Sequence, residues 1–212
     1  MKYLSALALA GALALGSAAG ATTISNTPTG GSILPFGFSD TLTYGQVFEA
    51  PVTGTMTSFT MYLDGGVGGD ILGAVGTWNG TPAHGFGFGS PATLYTSGLT
   101  DATSGGAFTF ATAISVVAGD LYVAFLTAFG TSATGTTSMP LGDDLPGGSY
   151  FVWNNTSDPF GNPSWNYFFA TGDALFSATF VADVAPVPVP AGLPLMLLAL
   201  GGLGVAARRR RS

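Results

Sequence analysis

Cysteine is absent from this chain of 212 residues, which excludes a disulfide framework, a thiolate metal centre and a cysteine nucleophile. Cations are scarce and confined to the ends: Lys2, then Arg208, Arg209, Arg210 and Arg211. Between them lie all eleven acids and no Lys or Arg, a formal charge of −11 on that stretch. Such a surface repels phosphate backbones, so nucleic acid is excluded as a partner. No side-chain cation is available there to clamp a phosphate or stabilise an oxyanion. Histidine is nearly absent too. His84 is the only one, in the loop-like stretch Ala83-His84-Gly85-Phe86-Gly87, and any nucleophile–His–acid triad would have to use it. No Gly-x-Ser-x-Gly elbow occurs. The expectation is a protein that is not an enzyme. A secreted glycosidase is the residual catalytic alternative, since it needs only two carboxylates at controlled separation.

Low charge does not mean disorder, because 47% of the residues are hydrophobic and 12% aromatic, with 33 Gly and 13 Pro. That composition suits a β-rich fold with many turns. At the N-terminus Lys2 precedes the apolar run Leu4 to Leu15 and the small residues of Ala19-Gly20-Ala21. This is the pattern of a secretory signal peptide, assigned to residues 1–21 with the mature chain starting near Thr22. The run is too short for a membrane span. At the other end, residues 185–212 combine a Pro-rich segment, an apolar run from Leu193 to Ala207 and the four arginines. As a helix the run would extend roughly 22 Å at ~1.5 Å per residue. Snorkelling arginines would make up part of the deficit against a ~30 Å hydrocarbon core. The arginines should remain cytoplasmic, with the domain outside.

This tail resembles the PEP-CTERM sorting signals, in particular the variant ending in Val-Pro-Leu-Pro-Ala. The matching residues are Val187, Pro188, Val189, Pro190 and Ala191, followed by Gly192-Leu193-Pro194-Leu195; Val189 stands where that variant has Leu. The resemblance covers about the last 27 residues. It implies a bacterial precursor held transiently in the inner membrane through its C-terminal helix. It also implies processing by an exosortase-type protease after passage through the secretion machinery, and delivery to the cell surface or its polysaccharide matrix. A permanent single-span anchor is the alternative for the same residues.

Residues 22–184 are predicted to form one all-β domain, an antiparallel β-sandwich with jelly-roll-like wiring. Phe59, Met61 and Leu63 alternate with Ser58, Thr60 and Tyr62, and Leu121, Val123 and Phe125 with Tyr122, Ala124 and Leu126. Ala174, Phe176, Ala178 and Phe180 do the same near the end. Further strands are expected at 46–50, 71–78, 93–97, 107–112, 149–154 and 166–170, about nine in all, with residues 130–165 otherwise irregular. Phe125 and Phe176 are expected to be buried on facing strands. The phrases Gly45–Pro51 and Ala118–Phe125 are similar to those of sandwich domains often paired with this tail, which implies a surface or carbohydrate-binding type of module.

Four groups of residues are candidates for function. Tyr150, Trp153, Trp165 and Tyr167 stand among Asn154, Asn155, Asn162 and Asn166, the mixture of aromatic faces and amides that contacts a glycan. Core filling is the competing account for both tryptophans. Asp143, Asp144 and Asp158 could hold a calcium ion through hard carboxylate oxygens. Gly65-Gly66-Val67-Gly68-Gly69-Asp70-Ile71-Leu72-Gly73 fits a calcium-binding nonapeptide, but that motif works by stacked copies and a single one is expected to be a flexible interstrand loop. Asn79-Gly80-Thr81 and Asn154-Asn155-Thr156 have the form of glycosylation acceptors. The functional expectation is an exported surface or extracellular-matrix protein, with a carbohydrate-binding module for extracellular polysaccharide as the alternative.

Overall fold

A computed structural model describes residues 20–80, 88–89, 91–147, 150–155, 158–160, 165–167, 173–183 and 209. Contacts divide the chain into two units, Ala19–Asp183 and the combined ends Met1–Ala18 and Val184–Ser212. In the second unit only Arg209 is described, exposed and helical. Residues 1–19 of the expected signal peptide, Val187–Ala191 and the other three arginines lie outside the described residues, as does His84.

The first unit is all-β, and every ladder between its strands is antiparallel. The smaller of the two main sheets has the order β1 (Ala21–Ser25), β15 (Phe176–Ala182), β4 (Gly54–Leu63), β9 (Gly106–Val116). The larger runs β6 (Phe88–Gly89), β13 (Trp165–Tyr167), β12 (Tyr150–Asn154), β3 (Thr43–Glu49), β10 (Leu121–Thr127), β5 (Asp70–Trp78), β7 (Pro91–Thr96), with β8 (Thr100–Asp101) also on β5. A third sheet has the order β14 (Asp173–Ala174), β11 (Thr136–Gly142), β2 (Pro28–Gly37).

The two main sheets pack like the halves of a sandwich because their strands present an apolar side chain every second residue. Phe59, Met61, Phe108, Phe110, Phe176 and Phe180 of the smaller sheet join Phe48, Ile71, Val75, Tyr122 and Leu126 of the larger in one core. Phe48 stacks on Phe176 with ring centroids 5.3 Å apart. On the smaller sheet's other face the side chains are hydroxylic, as in the Thr60–Thr109 pair at 2.8 Å and the Thr23–Thr179 pair at 3.2 Å.

The larger sheet is buried on both faces. Its far side carries a second core of Val47, Ala74, Trp78, Val123, Phe125, Val152 and Trp165. Phe125 and Phe176 are both buried, but they belong to opposite faces of this sheet and do not oppose each other, contrary to the sequence expectation. The reason is parity: Tyr122, Ala124 and Leu126 of β10 point to the main core, so Val123 and Phe125 must point away. Trp165 lies on β13, three strands from β10, which at ~4.8 Å per strand is some 14 Å on a flat sheet. Its ring is nevertheless 4.9 Å from that of Phe125 and 6.2 Å from that of Trp78. The sheet must therefore curl over itself at the β12–β13 side.

Residues 130–165, read as largely irregular, contain β11. The strand is hard to recognise because Pro140 and Gly142 interrupt its pattern; register shifts at Thr137/Met139 and Pro140/Gly142 accommodate them.

Candidate functional site

The third sheet borders a concavity of the domain. Where β2 and β11 cross the end of β3 and β12, a cleft of about 290 Å³ opens, lined by Ser32, Ile33, Leu34, Tyr44, Leu141, Phe151 and Trp153. Cross-strand pairing builds its aromatic wall: Trp153 sits opposite Tyr44, and Phe151 lies two residues earlier on the same face. The Phe151 and Trp153 rings are 6.1 Å apart, those of Tyr44 and Phe151 6.4 Å, and that of Phe36 lies 6.3 Å behind Tyr44. Trp153 remains partly exposed, and Leu34 at the mouth is 68% exposed.

The cleft's polar groups are held by the same strands. The Tyr44 hydroxyl donates to the Leu34 carbonyl at 3.4 Å. Burial pushes that phenol up; a hydrogen bond with Thr41 opposes the shift and the charge of Asp40 adds to it. Ser32 Oγ donates to Asp64 Oδ2 at 2.8 Å, and Ser138 Oγ donates to the same oxygen at 2.5 Å. Asp64, just after β4, thus ties β2 and β11 of the third sheet to the sandwich and puts a carboxylate one hydrogen bond behind the cleft lining.

Of the four aromatics expected to contact a glycan, Trp153 alone is placed at this cleft. Trp165 is fully buried, its Nε1 donating to the Pro159 carbonyl at 3.3 Å. It is therefore a core residue and offers no platform to a ligand. Tyr150 and Tyr167 belong to β12 and β13, but their side chains lie outside the described residues. Tyr44, Phe151, Leu34 and Leu141 were not singled out from the sequence. Tyr44 and Phe151 sit in ordinary strand patterns, and only the register between β3 and β12 brings them together.

The acids expected to hold calcium are dispersed. Asp143 Oδ1 accepts the Thr27 N–H at 2.6 Å, a tie to a segment far away in the sequence, and Asp158 Oδ1 accepts the Phe160 N–H at 2.9 Å, closing a local turn. Among the described residues no three acids or histidines converge. Asp173 is the buried acid, accepting the Leu145 N–H at 2.7 Å. Burial holds its carboxyl above the usual range; hydrogen bonds from Leu145 and Gln46 pull it down, while Asp144 and Asp143 push it up.

The Gly65–Gly73 stretch is no flexible loop. Val67 is fully buried; its N–H donates to the Ala102 carbonyl and its carbonyl accepts from Thr134 and Gly135. A Cβ on Gly66 would stand 2.1 Å from the Thr103 carbonyl oxygen, and one on Gly69 2.3 Å from that of Ser132. The glycines are needed because two other loops press their backbones against this one. Asp70 Oδ2 accepts from Ser132 Oγ at 2.7 Å. Asn154, the first residue of one glycosylation-like triplet, is buried at 2% exposure and is closed to such modification in the folded domain.

The chain matches no protein-family model, no curated protein and no solved structure, so the functional reading rests on the cleft and on the two ends of the sequence.

Proposed function

We propose that this chain is an exported, non-catalytic surface or matrix protein, released from a transient membrane anchor by an exosortase-type protease. The observation that carries the reading is the placement of charge: every Lys and Arg flanks an apolar run at one end or the other, and none lies between. The cations serve export and membrane retention, and the domain is left without a Lys or Arg to clamp a phosphate or stabilise an oxyanion. The resemblance of Val187–Ala191 to a sorting motif supports the same reading.

The wiring is read as a jelly roll. The orders β1-β15-β4-β9 and β3-β10-β5-β7 support it: four strands in each sheet, with the chain passing repeatedly between the two. The third sheet and the β12–β13 curl are additions to that plan.

Glycan contact is the second reading, and the cleft at Trp153 favours it by offering aromatic faces beside hydroxyl and carbonyl oxygens. A calcium ion at Asp143 and Asp144 is a weaker proposal, because Asp143 is already engaged by a backbone amide. Intact-mass analysis of protein released from the cell surface tests the main reading. The expected product begins near Thr22 and lacks the apolar run and all four arginines. A C-terminus still ending in Arg211-Ser212 would identify a permanent anchor instead.

A further inference from the structure

We propose that the cleft at Tyr44, Phe151 and Trp153 binds an amino sugar, with its protonated amine drawn toward the aromatic faces and Asp64. This rests on the glycan reading above and names the sugar's charge.

Three observations converge on a ligand that is cationic and rich in donors. First, the wall is aromatic on neighbouring strands, with Trp153 partly exposed and Tyr44 and Phe151 behind it. The π faces attract an ammonium within about 6 Å of a ring centroid, and the same faces pack against the C–H side of a sugar ring. Second, the hydroxyls in the lining have committed their protons. Ser32 donates to Asp64 and Tyr44 to the Leu34 carbonyl, so neither has its proton left to offer a ligand, and the exposed Ser32 oxygen can only accept. A ligand that satisfies them must bring hydrogen atoms, as a polyol or an ammonium does. Third, the charge of the surroundings has one sign: eleven acids with no Lys or Arg in the whole domain sequence. An anionic saccharide would meet the repulsion of the domain's net charge, while a cationic one is steered in. At about 290 Å³ the cleft is at the small end for ligand pockets, suited to one ring rather than to a chain lying along it.

A series that varies only the substituent at carbon 2 tests this. The full chain is titrated with a β-linked glucosamine disaccharide, its N-acetylated counterpart and cellobiose. The solution is mildly acidic with about 0.1 M salt, where screening confines electrostatics to ~10 Å. The glucosamine disaccharide is expected to bind roughly tenfold tighter than the other two, the ratio that about 1.4 kcal/mol produces. Trp153→Ala should abolish binding of all three, and Trp153→Phe should restore part of it. Leu34→Arg puts a cation at the mouth on an exposed residue, so it leaves the core intact and should erase the preference for the amine. Cellobiose binding as tightly as the glucosamine disaccharide would overturn the amino-sugar assignment while leaving a neutral-glycan site. Binding unchanged in a folded Trp153→Ala variant, or binding of none of the three, would overturn the cleft as a glycan site altogether. Neither result bears on how the tail is processed, which the mass of the released protein reports independently.

Discussion

The two faces of the larger sheet are both dry, yet they are covered in different ways. The main face is buried by a second sheet, with phenylalanines from both sheets interlocking as in an ordinary sandwich. The far face is buried by the sheet's own continuation, which curls so that Trp165 of β13 reaches Phe125 and Trp78. The main face also bears a buried polar pair at its margin. Gln46 lies on the same side of β3 as Tyr44 and Phe48, its Oε1 accepting the Ala174 N–H at 2.8 Å beside Asp173. The far face holds no buried charge among the described residues; its internal hydrogen bonds include the Thr43–Thr127 hydroxyl pair at 2.7 Å. A single sheet can thus serve two cores, and among the described residues only one of them borders a buried carboxyl.

The sharpest way to break this picture is to delete one ring from each face. Phe125→Ala and Phe176→Ala should each cost ~3–5 kcal/mol, a large part of a typical ~5–15 kcal/mol margin. Because the rings lie on opposite faces, the two losses should add to within about 0.5 kcal/mol in denaturant titrations of the single and double variants. Strong coupling between them would mean that they share one core after all.

Next in size is the packed glycine loop that leads into β5, the strand serving both faces. Gly69→Ala should cost about 1–3 kcal/mol, since the added carbon meets the Ser132 backbone. An unaffected melting midpoint would show that the loop yields freely.

Acid titration separates the faces by charge. The folded Asp173 carboxyl is raised above the ordinary value of about 3.9. Its stabilising contribution is complete below that value and is lost as pH rises through the folded one, because the native state then holds a proton that the unfolded state has released. Stability should fall over that window, and Asp173→Asn should flatten the slope while Phe125→Ala leaves it unchanged. Melting curves taken from acid to neutral pH decide this. A slope unaltered in Asp173→Asn would assign it to other carboxylates.

The smallest expected effect is that of salt. Eleven carboxylates without a cation repel over ~30 Å at 0.01 M ionic strength and ~10 Å at 0.1 M. Added sodium chloride should therefore raise the melting midpoint by a few degrees, of the size that ~1 kcal/mol produces in a domain of this length. A further rise in calcium over magnesium, at matched ionic strength, is the signature that a carboxylate site would add.

Much of the sandwich was legible because period-2 alternation is a local property. Phe59, Met61 and Leu63, or Phe176 and Phe180, announce strands without reference to any neighbour. What alternation cannot reveal is which side of a doubly buried strand faces which core. β10 carries large apolar or aromatic side chains on both faces from Leu121 to Leu126, so Phe125 could be assigned to either face. β2 and β11 escaped recognition because Pro28, Gly30, Gly31, Pro35 and Pro140 resemble turn residues until register shifts are seen to absorb them. The cleft was half-visible: Trp153 was singled out, whereas Tyr44 became its neighbour only through strand pairing.

The sequence alone determined the sign and placement of charge, the lack of cysteine and the β-strand character of the domain. These follow from composition and from the two-residue repeat of an extended backbone. Tertiary structure decided which tryptophan is core and which is cleft, and that the glycine-rich stretch is a packed joint. Both depend on residues far apart in the chain being brought within a few ångströms, a distance that no local pattern encodes.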